Sequence, residues 1–414
     1  MPDKKKPKFF YGYVVVGAGI IASIFLVGVY SSFSVFFKPL SLELGWARAT
    51  TSTAVSVAAI VMGFAGIVVG RLTDKYGPRV VLIACGLFMG FGVLLMSQVR
   101  VLWQIYLFYG ILVGIGMSAA DLIIPATVVR WFVKRRGMMT GITKVGAGVG
   151  IMVVPLLASW LISSYGWRHA YTILGIIALV GIVSAALLFK RDPSQIGELP
   201  DGATEVQTTE SNTSTRQFSL REAMATRQFW TFSVIWFSFM FCMQAVIVHI
   251  VPHVTDVGIS ATIAATVLSG IGGFSILGRL GLPSLSDILG TKMAYMIAFS
   301  FLATALVWVQ FARETWMFYL FAALYGTAHG ACFALFAPMV AELFGLPSLG
   351  TILGVTLCIG TFGSLIGPIL AGQIFDITGS YQPAFIACSA SSVISIILML
   401  SLKATSNEAL RKIH

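Results

Sequence analysis

Long apolar runs separated by short polar intervals dominate the chain. Runs of membrane-spanning length fall at about 11–37, 49–70, 80–98, 102–130, 138–162 and 169–189, and again at 229–251, 262–286, 293–311, 315–341, 349–374 and 383–402. A hydrocarbon core about 30 Å thick is crossed by roughly 20 apolar residues in a helix. Backbone inside it must satisfy its own hydrogen bonds, which favours helices throughout. The pattern predicts an all-α membrane protein of twelve transmembrane helices in two pseudo-symmetric six-helix bundles, 1–189 and 229–414, joined by a polar interval at 190–228. The first run follows a basic segment, Met1 to Phe10. It is too long for the apolar core of a secretory signal and reads as the first helix.

Within the polar interval, Lys190 to Arg216 is rich in Ser, Thr, Glu, Pro and Gly without an apolar period, and reads as a flexible linker. Ser219-Leu-Arg-Glu222 carries a capping-box pattern. It predicts a short amphipathic helix on the membrane surface ahead of the seventh span. Asn212-Thr-Ser214 is a formal glycosylation sequon, which a cytoplasmic loop never presents to the machinery.

Composition agrees with the pattern. Of 414 residues, 57% are apolar and 10% charged, with a mean hydropathy of +0.90, against about 25% charged in soluble domains. The net charge of +11 does not mark a nucleic-acid binder, because the basic residues fall in short clusters between apolar runs. With the N-terminus inside, twenty Lys and Arg lie on the cytoplasmic side and five outside. That is the asymmetry of the positive-inside rule, so both termini of a multi-pass plasma-membrane protein are expected in the cytoplasm. The five cysteines, Cys85, Cys242, Cys332, Cys358 and Cys388, all lie in apolar runs. An odd count without ligand spacing argues against a disulfide framework or a zinc site, and no cofactor or metal is expected. An enzyme would need a catalytic cluster at one depth, and a receptor a sizeable soluble domain. The sequence offers neither.

The two sets of spans repeat. Asp74 and Gly77 recur as Asp287 and Gly290 at an offset of 213, which Gly141/Gly354, Gly150/Gly363, Pro155/Pro368 and Gly166/Gly379 share. Gly70-Arg-Leu-Thr-Asp74-Lys-Tyr-Gly77-Pro-Arg79 resembles the loop 2–3 signature of the major facilitator superfamily, whose architecture is two parallel six-helix halves. The resemblance implies a conformational latch at Asp74, Arg79 and Asp287, in which Asp74 pairs with a cation or caps a neighbouring helix. A purely structural turn is the plainer reading.

A narrower resemblance follows. Trp131-Phe-Val-Lys134-Arg135-Arg136-Gly-Met-Met-Thr-Gly141-Ile-Thr-Lys-Val-Gly146 resembles the loop 4–5 signature of the monocarboxylate transporters, and Tyr11-Gly-Tyr-Val-Val loosely resembles their span-one signature. Ser34-Val-Phe-Phe-Lys38 and Gly367-Pro368 with Gly379-Ser-Tyr-Gln also look like that family, whereas Thr226-Arg-Gln-Phe-Trp230 is closer to the oxalate–formate antiporter branch.

Ionisable residues inside spans carry the candidate chemistry. Arg279 lies eight residues before Asp287, roughly 12 Å deeper along a helix. A guanidinium that cannot lose its charge is expensive there and marks a substrate pathway. Snorkelling to the inner surface is the bland alternative. In both related branches a span-eight arginine at this place binds the carboxylate. The oxalate carrier adds a span-eleven lysine where Gly360 stands, so a single fixed cation here matches a monoanion. Animal monocarboxylate transporters place a lysine at Ser31 and an aspartate at Ser275, so their proton-coupling pair is missing. Tyr30, Ser31, Tyr325 and Cys358 complete the candidate substrate contacts, with helix packing as the alternative for Tyr325 and for nearby His329.

Asp121 is the carboxylate expected near the midplane, either as partner of Arg279 in the empty state, as a proton carrier, or as a polar residue satisfied by its helix neighbours. Lys144 either snorkels to the cytoplasm or adds positive potential to a cavity. His249 and His253 stand four apart, but Pro252 between them and the lack of further ligands argue against a metal pair. A titrating site at the outer mouth of span seven, with Asp256, is the livelier reading. Asp121, Lys144 and His249 are the proton-coupling candidates. The Gly146-Ala-Gly148-Val-Gly150 run follows no strand, so it reads as helix packing and not a dinucleotide loop. Together these features predict a carrier of short monocarboxylates, lactate- or pyruvate-like, coupled to protons and working by alternating access in the bilayer. An organic-anion exchanger of the oxalate–formate type is the alternative.

Overall fold

The computed structural model describes residues 10–46, 48–202 and 217–402. The basic N-terminal tail, the Asn212 sequon and the C-terminal basic residues lie outside them. Among the described residues all regular structure is helical, and it divides into two units. Unit 1 is Met1–Ser214 with Ser348–Gly354, and unit 2 is Thr215–Pro347 with Val355–His414.

Unit 1 holds α1 (Gly12–Ser31), α2 (Phe33–Leu44), α3 (Arg48–Tyr76), α4 (Pro78–Met96) and α5 (Leu102–Ile105). A π-helical stretch, Tyr106–Val113, leads into α6 (Gly114–Trp131), followed by α7 (Arg136–Leu187). Unit 2 holds α8 (Leu220–Met224), α9 (Arg227–Asp256), α10 (Ala261–Leu289), α11 (Thr291–Trp308), α12 (Thr315–Phe344), most of α13 (Leu349–Thr378) and α14 (Gln382–Ser401). Ten of the described helical runs are long and apolar enough to cross a membrane. One of them, α7, is two spans: it turns at Gly166, whose φ of 79° and ψ of 161° suit only glycine. The 29 residues of α10 complete twelve spans. The first span overruns its apolar run, because α2 carries through Pro39 to Leu44 and stops at left-handed Gly45.

The repeat extends to backbone geometry. Gly77 (φ 86°, ψ 163°) and Gly290 (φ 87°, ψ 150°) take the same turn ahead of α4 and α11. Packing repeats as well. A Cβ on Gly150 would lie 2.4 Å from the Ile24 carbonyl oxygen in unit 1, and one on Gly363 would lie 2.4 Å from that of Phe237 in unit 2. Both members of these contacts are 213 residues apart. Gly146 meets the Ile20 carbonyl in the same way, so the Gly-rich run is the surface on which α1 and α7 touch.

The described start of the polar interval is more ordered than its composition implies, while residues 203–216 of the expected linker lie outside the described residues. Residues 190–202 fold as two short 3-10 turns, Pro193–Ile196 and Pro200–Gly202. The Asp201 carboxylate accepts the amides of Val133 and Lys134 at 2.9 and 2.8 Å. Composition does not register hydrogen bonds made to a loop distant in sequence. The Ser219 capping box forms as expected, with the Glu222 amide donating to Ser219 Oγ and the Ser219 amide to Glu222 Oε2. The adjoining Phe218 amide donates to the Phe344 carbonyl at 3.1 Å.

Candidate functional site

On α10, Ile271, Ser275, Gly278, Arg279, Leu282 and Ser286 form a buried stripe, while Leu277, Leu280 and Ile288 are exposed. Arg279 is only 6% exposed. The two helices α10 and α12 touch backbone to backbone beside it. A Cβ on Gly278 would lie 2.0 Å from the Thr327 carbonyl oxygen, and one on Gly330 1.9 Å from that of Ser275. This approach brings His329 within electrostatic reach of the guanidinium. Its Nδ1 is buried without a hydrogen-bond partner, and its ring stacks near Tyr325, with centroids 6.3 Å apart. A buried guanidinium offers a planar fork for a carboxylate that stays charged at any working pH.

The Tyr325 hydroxyl donates to the Met243 carbonyl at 3.0 Å and the residue is fully buried. It therefore tethers α12 to α9, which is the packing alternative and not a free donor. Cys358 is a buried free thiol in α13. Two residues further on, Gly360 has no room for a side chain: a Cβ there would lie 2.5 Å from Trp236 Cδ1 and 2.6 Å from its Nε1. Trp236 is 1% exposed, its indole Nε1 has no hydrogen-bond partner, and its ring stacks on Phe336 with centroids 4.0 Å apart. Its importance escaped the sequence reading, since nothing in the local pattern links positions 236 and 360.

In unit 1, Tyr30 stacks on Tyr109, whose hydroxyl donates to the Tyr30 carbonyl at 2.7 Å. Ser31 Oγ donates to Val27, and in unit 2 Ser275 Oγ donates to Gly272, so both hydroxyls bond their own helices. Of the readings open for Asp121, the structure shows a charge partner within unit 1. Asp121 forms an ion pair with Lys144, which also donates to the Ala120 carbonyl at 3.2 Å. Lys144 is 4% exposed, so it neither snorkels nor adds an uncompensated charge. The physical reason is that the first turns of α7 pack against α6, placing each charge within reach of its opposite. His249 Nε2 lies 3.0 Å from the Pro368 carbonyl in unit 2.

The loop 2–3 aspartate is a hub within unit 1. Asp74 accepts the amides of Gly350 and Thr351 at 3.1 and 2.8 Å and the Thr351 hydroxyl at 2.8 Å, which caps the start of α13. Its cation is Arg130, at 3.3 Å, and not Arg79, which is exposed in the first turn of α4. Arg130 immediately precedes the Trp131 signature, and that adjacency is the only hint the sequence held. Asp287 lies half-buried in the last turn of α10. The two signatures of the narrower resemblance meet: Tyr11 packs on Trp131 at 5.7 Å, and Trp131 Nε1 donates to the Lys190 carbonyl at 3.0 Å.

Comparison with known proteins places this geometry. The family model of the Major Facilitator Superfamily matches residues 19–307 and 254–413. Human monocarboxylate transporter 2 is 26% identical over 418 residues, covering 96% of this chain and 87% of that protein. Mouse monocarboxylate transporter 4 is 26% identical over 96% of this chain and 84% of its own length. Among solved structures, the human organic anion transporter MFSD10 (TETRAN) aligns with a TM-score of 0.73 at 14% identity, over 94% of this chain and 99% of that one. The proton:xylose symporter XylE aligns with a TM-score of 0.72 at 14% identity, over 97% and 99%. With the family model matched along nearly its whole length, and with twelve spans in a repeated arrangement, the chain belongs to the Major Facilitator Superfamily.

Proposed function

We propose that this membrane transporter, which is not an enzyme, carries short-chain monocarboxylates of the lactate and pyruvate type by alternating access, with Arg279 as the anion's counter-charge. The observation that carries the reading is the buried Arg279 on the α10–α12 contact. The blocked Gly360 supports a single negative charge on the substrate, because Trp236 fills the space a second cation would need. The relatives named monocarboxylate transporters, 26% identical, point to the same substrate class. Proton coupling is assigned to the Asp121–Lys144 pair, where protonation of the carboxylate would release the lysine. Asp74, with Arg130 and the start of α13, serves as the latch. The bias of basic residues supports a plasma-membrane protein with both termini in the cytoplasm.

Lactate uptake into proteoliposomes tests this. An imposed inward proton gradient drives uptake if the carrier is a symporter. Uptake only against preloaded anion identifies an exchanger instead. Arg279→Lys and Arg279→Gln both lose saturable uptake, and retention of it by Gln would remove Arg279 from the site.

A further inference from the structure

Only five Lys and Arg are expected on the side opposite the basic clusters, and two of them, Arg100 and Arg168, line one cavity in unit 1. It measures about 350 Å³ and lies where α4 ends and the second half of α7 begins, with Gln98, His169 and Thr172 also in its wall. Arg168 is pinned: its guanidinium donates to the Ser97 and Val99 carbonyls, both at 3.2 Å, and pairs with Glu43 at 2.8 Å. Arg100 is exposed. Its backbone amide donates to Gln104 Oε1 at 2.7 Å, while its side chain makes no hydrogen bond or ion pair among the described residues. Glu43 offsets one guanidinium, so the other leaves the cavity positive.

The helices leading from the cavity form a furrow. Gly90 of α4 meets Leu179 of α7, and Gly175 of α7 meets Leu94 of α4: a Cβ on either glycine would lie 2.7 Å from the facing leucine's side chain. The position on α7 falls as that on α4 rises, so the two helices are antiparallel. One residue advances about 100° around a helix. In an antiparallel pair, the residues one step past the contact therefore turn to the same side. Those residues are Phe91 and Leu95 on α4 and Ile176 and Val180 on α7, and all four are exposed. Exposed apolar surface on a spanning protein is a place for acyl chains. Gln98 and Thr172 sit about one turn beyond Leu95 and Ile176, which puts the cavity at the head of the furrow. Trp103 and Tyr165, each three residues from one of the two arginines and both exposed, fit the aromatic belt of a membrane–water boundary.

We propose that cavity and furrow together hold one anionic phospholipid, its phosphate against Arg100 and its acyl chains along Phe91, Leu95, Ile176 and Val180. A guanidinium meets phosphate oxygens through two parallel hydrogen bonds. The internal repeat supplies a contrast. At the offset of 213, Glu43, Arg100, Arg168 and His169 correspond to Asp256, Arg313, Tyr381 and Gln382, the last four of which line a cavity of about 360 Å³ in unit 2. There a tyrosine replaces the second arginine, so Asp256 offsets Arg313 and no net charge draws a phosphate.

Photocrosslinking of the full-length protein tests this. The protein is placed in phosphatidylcholine nanodiscs that contain a minor fraction of phosphatidylglycerol with a diazirine on one acyl chain, and labelled peptides are mapped by mass spectrometry. Label concentrates on 88–95 and 176–180 in the wild type, and Arg100→Gln reduces it roughly tenfold, the worth of one hydrogen bond to a charged group. Arg100→Lys keeps most of the label, which separates lost charge from a damaged fold, and Arg313→Gln leaves it unchanged. The same diazirine on phosphatidylcholine labels the furrow far less. Equal labelling by the two lipids, or undiminished labelling in Arg100→Gln, overturns the proposal. Displacement of the label by soluble glycerol phosphate would make the cavity a site for a free anion, and a furrow that neither lipid labels would be covered by protein. Either result overturns it too.

Discussion

Asp121 on α6 and Lys144 on α7 are each other's counter-ion inside unit 1. The lysine is almost wholly buried and the carboxylate about one-third open, with side-chain exposures of 5% and 29%. Removing one member of such a pair strands a charge in a low-dielectric site, at a cost of roughly 3 kcal/mol. Asp121→Asn and Lys144→Gln each lower thermal stability in detergent, and the double variant recovers a large part of the loss. Asp121→Asn also leaves lactate uptake indifferent to an imposed proton gradient. Unchanged proton flux per lactate in that variant would take Asp121 out of coupling.

Much of the architecture was legible in the hydropathy alone, because each span is a long run with polar ends. Glycines needed for turns and close helix contacts recur at one offset, which exposed the repeat. Gly45 and Gly258, with φ of 66° and 95°, share that offset too, although no flanking motif marks them in the sequence. The site was legible only in part. Arg279 stands out as a charge within an apolar run. The partner of Asp121 does not, because pairing depends on which faces of α6 and α7 meet. Likewise Arg130 was counted with its loop's basic cluster, and only the fold brings it to Asp74.

Gly360 and Trp236 make a specificity prediction. A side chain at position 360 collides with the indole, at 2.5 Å for the first carbon. Gly360→Lys alone is therefore expected to lower stability and gain no new substrate. Paired with Trp236→Gly, the lysine has space and adds a second cation, so oxalate should begin to compete with lactate for uptake. Competition assays on the single and double variants decide this. Oxalate competing in wild-type protein would show that one cation does not select monoanions.

The α10–α12 contact beside Arg279 depends on the missing side chain of Gly330. A methyl there points at the Ser275 carbonyl 1.9 Å away, and backbone cannot step aside as a side-chain end can. Gly330→Ala should cost roughly 3 kcal/mol, the upper part of the overpacking range, and should raise the KM for lactate by separating the helices that hold Arg279. Gly272→Ala, on the facing helix α10, is the control, since a methyl there meets nothing within 4 Å. It should be neutral or slightly stabilising, as alanine favours helix. Equal melting temperatures for the two variants would disprove the contact.

Glu43, past the membrane-spanning part of the first span, ties α2 to α7. Its carboxylate accepts from the Trp167 indole and pairs with Arg168 at 2.8 Å, while Arg168 lies over the Trp167 ring at 4.1 Å and donates to the Ser97 and Val99 carbonyls. The Trp167 hydrogen bond, with Arg168 adding to it, holds the carboxyl below the usual glutamate range. A group depressed on folding stabilises fully above its unfolded value, about 4.3 for glutamate, and that contribution is lost as pH falls through the lower folded value. The melting-temperature gap between wild type and Glu43→Gln should stay constant from pH 7 to about 5.5. It should then close as the pH drops below roughly 4. Half of the Glu43 side chain is exposed, so the gap is also expected to shrink in high salt. A gap that ignores both pH and salt would mean that Glu43 acts through shape and not through its charge.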